Sequence, residues 1–115
     1  MQILVTGGAG FIGTNLIKEL SSYHTIVSID DYSTGKEENH IDGVKYINGD
    51  ISNLMDHIAT LSTPYYQPDV VFHLAAKARI QPSFEQPEEY IKVNYEGTYN
   101  IVKLCLKQNI SLIYA

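Results

Sequence analysis

Apolar positions along this chain fall into two alternating rhythms. Gln2-Ile-Leu-Val-Thr6 is a short apolar run that ends on glycines, which predicts a parallel strand buried on both faces rather than a half-exposed one. From Phe11 onward, Ile12, Leu16, Ile17 and Leu20 recur at helical spacing, and Ser21-Ser22 closes that segment before a second apolar run over residues 25–30. A polar loop over residues 31–43 leads to a short strand at 44–47. Leu54, Met55, Ile58, Ala59 and Leu61 then mark a helix that Ser52 or Asn53 caps and Pro64 and Pro68 terminate. Residues 69–76 predict a fourth strand, and Pro82 and Pro87 punctuate the loop beyond it. Glu88-Glu89 set negative charge at the positive end of a long helix that runs to about Gln108, and residues 110–114 begin a fifth strand.

Strands alternating with helices, without repeats or low-complexity tracts, predict an α/β fold. The form that fits is a Rossmann-type doubly wound parallel sheet with right-handed crossovers and strand order 3-2-1-4-5, incomplete at its C-terminus. The 115 residues suffice for one core, so residues 1–115 read as a single domain.

Composition narrows the partners. A formal net charge of −5 provides no basic field to gather nucleic acid or an anionic membrane surface. The single cysteine, Cys105, closes no internal disulfide, and the four histidines show no metal-ligand spacing, which together predict a reduced, cytoplasmic, metal-free protein. The strand pattern starting at Gln2 leaves no room for an export leader, and no apolar run reaches membrane-spanning length.

The chemistry lies in Thr6-Gly-Gly-Ala-Gly-Phe-Ile-Gly13, a strand-to-helix turn with glycines at 7, 10 and 13. Gly7 permits the tight turn, Gly10 lets backbone approach a pyrophosphate, and Gly13 lets helix pack on strand. The opening amides at Phe11, Ile12 and Gly13 face the anion with the helix dipole behind them. The second strand ends at Asp30, about 20 residues past the first glycine, where a carboxylate accepts hydrogen bonds from the adenosine ribose. Its charge would repel a 2′-phosphate, favouring NAD over NADP. A P-loop is excluded, because Gly13 is followed by Thr14 without the lysine that such a loop requires.

Together with Asp30-Asp-Tyr-Ser-Thr-Gly35, Gly49-Asp50, His73-Leu-Ala-Ala76 and Asn94-Tyr-Glu-Gly-Thr98, this turn resembles the extended short-chain dehydrogenase/reductase superfamily. Within it, the likeness is to the NAD-dependent epimerases and dehydratases of nucleotide sugars, over nearly the whole chain. The resemblance implies that Asp30 holds the adenosine ribose and that Asp31, Ser33, Thr34 and Gly35 line the adenosine pocket. It further implies that Asp50 and Ile51 border the adenine, and that Leu74, Ala75 and Ala76 face the nicotinamide. Asn94 would tie neighbouring strands to the site, and Ser83 would touch substrate. His73, alone in an apolar run, reads instead as a hydrogen-bonded structural residue. Lys77-Ala-Arg-Ile-Gln-Pro-Ser83 departs from the dehydratase pattern and favours an epimerase acting on UDP-sugars. Full-length relatives commonly dimerise through two long helices per subunit, the first of which residues 88–108 resemble.

The superfamily's catalytic Ser/Thr and Tyr-x-x-x-Lys pair follow the fifth strand, where this chain stops, so the resemblance implies a cofactor-binding part without its catalytic half. Tyr32 with Lys36 and Tyr99 with Lys103 match the Tyr-x-x-x-Lys spacing. Both stand ahead of the fifth strand, and nine tyrosines make chance matches ordinary. The expectation is therefore the NAD-binding portion of a UDP-sugar 4-epimerase-like enzyme, inactive alone. The alternatives are a stand-alone NAD-binding module without catalysis, or the cofactor half of a related dehydratase, reductase or decarboxylase.

Overall fold

The computed structural model describes residues 1–56, 67–77 and 84–115, the side chains of 54–56 excepted. Strands β1 (Gln2–Thr6) and β2 (Thr25–Asp30) form where the apolar runs predict them, joined by helix α1 (Phe11–Leu20). Strands β3 (Lys45–Asn48), β4 (Val70–His73) and β5 (Ser111–Tyr114) complete an all-parallel sheet in the order β3-β2-β1-β4-β5.

β4 is shorter than the 69–76 run because the chain leaves the sheet after His73. The Leu74 amide makes the last ladder bond, shared between the Thr6 carbonyl at 3.2 Å and the Thr6 hydroxyl at 3.1 Å, and the Ala75 amide turns to that hydroxyl alone at 3.0 Å. A second difference lies after β3. Ile51–Asp56 forms a 3₁₀ turn whose start is held by Asp50, not by Ser52 or Asn53. The Asp50 carboxylate accepts the Ser52 N–H at 2.8 Å and its carbonyl accepts the Asn53 N–H at 2.9 Å. Ile58, Ala59 and Leu61 of the expected helix lie outside the described residues.

The long C-terminal helix forms with an inserted turn. Helix α2 (Pro87–Ile91) opens on Pro87, passes into a π-helical turn over Lys92–Gly97, and continues as α3 (Thr98–Gln108). Gly97 explains the turn in part. A Cβ there would lie 2.6 Å from Ile51 Cδ1, so the missing side chain is what lets this helix close on the segment after β3.

Side chains alternate between two cores because strand neighbours point to opposite faces. Ile3, Val5, Ile26 and Val70 pack with Ile17 of α1 on one face. Leu4, Val27, Ile29 and Val71 pack with Ile101, Leu104 and Cys105 of α3 on the other. β1 and β2 are thus covered on both sides, whereas β5 forms an edge with Ile113 and Tyr114 exposed.

Candidate cofactor-binding site

The turn after β1 is built by excluding side chains. Gly7 adopts φ +75°, its N–H donates to the Ile29 carbonyl at 2.8 Å, and a Cβ there would press on the Ala75 nitrogen at 3.0 Å. A Cβ on Gly13 would land on the Gly7 carbonyl oxygen. Gly8 is equally constrained, because a Cβ there would overlap Ser28 Oγ and approach Ile17 Cδ1. The spacing of 7, 10 and 13 does not reveal Gly8. Its constraint comes from β2 passing beneath the turn, and only the doubled glycine hinted at it.

Gly10 differs from these. Its backbone is extended, and a Cβ would meet only the Gly7 carbonyl oxygen at 3.5 Å, so the position is open toward the cleft that Gly10 lines. As the residue before α1 it offers no capping side chain, and the first turn carries no acidic residue. The opening amides of α1 therefore have no side-chain acceptor, the condition under which a helix start attracts an anion.

The cleft opens at the C-terminal ends of the strands. Gly7 and Gly10 line one wall, Asp30, Asp31, Ser33 and Thr34 the next, Asp50 and Ile51 a third, and Leu74, Ala75 and Ala76 the last. Asp30 is 8 % exposed. Its Oδ2 accepts the Ala9 N–H at 3.0 Å and its Oδ1 accepts the Tyr32 N–H at 2.8 Å, which fixes the carboxylate at the cleft wall while each oxygen keeps a further lone pair.

The remaining expected residues are placed differently. Phe11 and Ile12 turn their side chains to solvent, leaving only backbone for a ligand. Gly35 packs against Ala9 Cβ and Asp30 Oδ2, where a side chain would not fit. Asn94, in the π-helical turn, stands behind the cleft. Its amide donates to the Lys77 carbonyl and accepts the Lys77 N–H, both at 2.8 Å, acting as a strand partner for the wall that follows Ala76. Asp31 is occupied locally, accepting from the Ser33 N–H and hydroxyl. Ser83 lies outside the described residues.

Lys77 also lines the cleft, a role that no motif spacing marks. Its ammonium pairs with Glu89 at 3.2 Å and lies 5.9 Å from the Tyr90 ring centre. That pairing ties the segment after β4 to α2, beside the clamp that Asn94 makes on the Lys77 backbone.

Neither Tyr-x-x-x-Lys match has the surroundings of a base. The Tyr32 hydroxyl bonds His40 Nε2 at 2.6 Å. Burial, together with Asp30, Glu37 and Tyr46, pushes its phenol above the ordinary tyrosine range, the reverse of what proton abstraction requires. Tyr99 is exposed on α3 with Lys103 beside its ring, and it is absent from the cleft lining. Among the described residues no group of three or more His, Cys, Asp or Glu is placed to hold a metal, and no helix is long and apolar enough to cross a membrane.

A parallel 3-2-1-4-5 sheet with a glycine turn and an acidic strand end meeting at its C-terminal edge defines the class of Rossmann-type dinucleotide-binding proteins. Residues 3–115 match the family described as "NAD dependent epimerase/dehydratase family", and the chain belongs to it. A UDP-N-acetyl-alpha-D-glucosaminuronate decarboxylase of Bacillus cytotoxicus is 35% identical over 118 residues, covering 99% of this chain and 36% of that protein. The structure of a UDP-glucose 4-epimerase from Thermotoga maritima with UDP-glucose superposes with a TM-score of 0.88 at 31% identity, covering 99% of this chain and 37% of that one. The Thermus thermophilus UDP-glucose 4-epimerase in complex with NAD gives 0.87 at 32% identity, covering 97% and 36%. The chain thus spans about a third of the length of the relatives it matches.

Proposed function

We propose that this chain is the NAD-binding portion of a nucleotide-sugar epimerase that acts at C4 of a UDP-sugar. The observation that carries the reading is the cradle itself. Glycines are forced at 7, 8 and 13 by packing, whereas at 10 the space is open and the residue lines the cleft that Asp30 also lines. In this reading the backbone of Gly7, Gly10, Phe11, Ile12 and Gly13 holds the diphosphate. Asp30 takes the adenosine ribose, residues 31–35 with Asp50 and Ile51 enclose the adenosine, and residues 74–76 face the nicotinamide, with Asn94 fixing the wall beyond them. Ser83 contacts the sugar nucleotide.

When bound, NAD supplies a hydride acceptor that returns the hydride. Residues 1–115 seat and orient the cofactor and give no turnover alone, since neither tyrosine with a lysine four residues on is placed to act as base. The names of the two solved epimerases support the substrate class. The Bacillus cytotoxicus relative supports a second reading, the cofactor half of a UDP-sugar decarboxylase. The buried Cys105 thiol suits a reducing, cytoplasmic setting.

Calorimetry tests the cradle. Wild type is expected to bind NAD at least tenfold more tightly than NADP, because the Asp30 carboxylate opposes a 2′-phosphate. Gly10→Ala is expected to fold normally and to weaken NAD at least tenfold. Equal affinity of Gly10→Ala and wild type would overturn the reading.

We also propose that the complete enzyme is a homodimer joined through the outer face of α2 and α3. Ile91, Tyr95, Tyr99 and Leu106 are all exposed there, at intervals that place them along one side of the helix. Sedimentation of the complete enzyme is expected to show a dimer that Tyr95→Glu with Tyr99→Glu converts to monomer.

A further inference from the structure

Beneath the cleft runs a buried polar chain to which the proposed function gives no role. Thr6 ends β1 opposite His73, which ends β4. The Thr6 hydroxyl oxygen accepts the Ala75 amide at 3.0 Å, shares the Leu74 amide with the Thr6 carbonyl at 3.1 and 3.2 Å, and lies 2.7 Å from His73 Nδ1. With both acceptor sites of the oxygen engaged, its single proton must point at Nδ1, which is therefore the bare nitrogen of the ring. The proton of the neutral imidazole is then on Nε2, 2.7 Å from the Thr98 hydroxyl at the start of α3. Burial agrees with this, holding the imidazole at a pKa of about 4. Tyr114 lies beside the ring, tilted, with ring centres 5.5 Å apart.

The same two amides belong to the segment that presses on Gly7, whose absent Cβ leaves room for the Ala75 nitrogen and the Leu74 carbonyl carbon. Thr6 therefore fixes how far the 74–76 wall stands from the glycine turn, and the orientation of its hydroxyl is set by His73. We infer that Thr6, His73 and Thr98 form one positioning unit that sets the width of the dinucleotide cleft between the glycine turn and residues 74–76, with His73 held as its Nε2–H tautomer. This inference rests on the dinucleotide reading of the cleft.

The test measures NAD affinity by calorimetry for wild type, Thr6→Ser, Thr6→Val, His73→Asn and His73→Gln, alongside a histidine ¹⁵N spectrum of the wild-type chain. Thr6→Ser keeps the hydroxyl and is expected to stay within about threefold of wild type, while Thr6→Val loses at least tenfold. His73→Asn places an amide oxygen where Nδ1 accepts, and His73→Gln keeps only the donor to Thr98. His73→Asn is therefore expected to bind NAD several-fold more tightly than His73→Gln, whichever of the two melts higher. The spectrum is expected to show Nε2–H.

Equal affinities across the threonine pair overturn the inference, as does an Nδ1–H spectrum. If Thr6→Val fails to fold, the histidine pair decides, and His73→Gln binding NAD as well as or better than His73→Asn overturns it. NAD failing to bind wild type removes the cleft reading and this inference together. NAD binding that ignores every substitution removes the inference alone.

Discussion

Ser28 and Gly8 meet where β2 passes beneath the glycine turn, and the contact has a cost. Ser28 is fully buried and its hydroxyl has no hydrogen-bond partner among the described residues. A buried hydroxyl without a partner forfeits its hydration, worth roughly 1–3 kcal/mol. Ser28→Ala removes the hydroxyl and opens space for only one atom, so it is expected to stabilise the chain by about 1 kcal/mol, a rise in melting temperature of about 4 °C for a domain of this size. Thermal unfolding followed by circular dichroism checks this, and a lower melting temperature would show that the oxygen is satisfied in solution. The pairing also shows what a sequence can disclose about single residues. Gly7, Gly10 and Gly13 were legible because a strand-to-helix anion turn makes local demands at fixed spacing. Gly8 was not, since its constraint arises from a serine in the next strand. Asp30 was legible as the acidic end of β2, but not that its oxygens would be pinned by the amides of Ala9 and Tyr32.

At the scale of elements, apolar periodicity located every strand of the sheet to within a few residues, because β1 and β2 are buried on both faces and their runs are nearly uninterrupted. The C-terminal helix was legible as one long segment through Gln108. The π-helical turn within it was not, since α-helical spacing carries no record of an extra residue whose purpose is to bring Asn94 onto Lys77 and Gly97 onto Ile51. The helix ends at Asn109, which takes the left-handed conformation at φ 54°, ψ 49°, and lets the Ile110 N–H donate to the Cys105 carbonyl at 2.8 Å. Glycine adopts this conformation without the Cβ penalty. Asn109→Gly is therefore expected to gain about 0.5 kcal/mol and Asn109→Ala to lose about 1 kcal/mol. Urea unfolding of the two variants beside wild type measures the difference, and an alanine variant as stable as the glycine one would contradict the cap.

Across the whole molecule, strand order followed from the Rossmann-type reading of alternating elements and glycine turn, while the side-chain link that ties β1 and β4 to α3 did not. That link is polar and passes through His73, which touches β1 through Thr6 and α3 through Thr98 while 1 % exposed. A lone histidine in an apolar run signals burial but cannot name partners so distant in sequence. Its burial makes global stability depend on pH with a definite sign. The unfolded chain takes a proton on this ring below its ordinary pKa of 6.5, whereas the folded ring resists until about 4. Above pH 6.5 the imidazole is neutral in both states and its full contribution is present. As pH falls below 6.5 the unfolded state binds the proton first, so stability declines, and the decline levels off below about 4. The loss across this window approaches about 3 kcal/mol, with a slope of up to about 1.4 kcal/mol per pH unit. Urea unfolding from pH 7.5 down to 4.5 is expected to show wild type losing stability faster than His73→Asn, which has no proton to take up. Parallel curves for the two proteins would mean that the ring is charged, or reachable by water, in the folded chain.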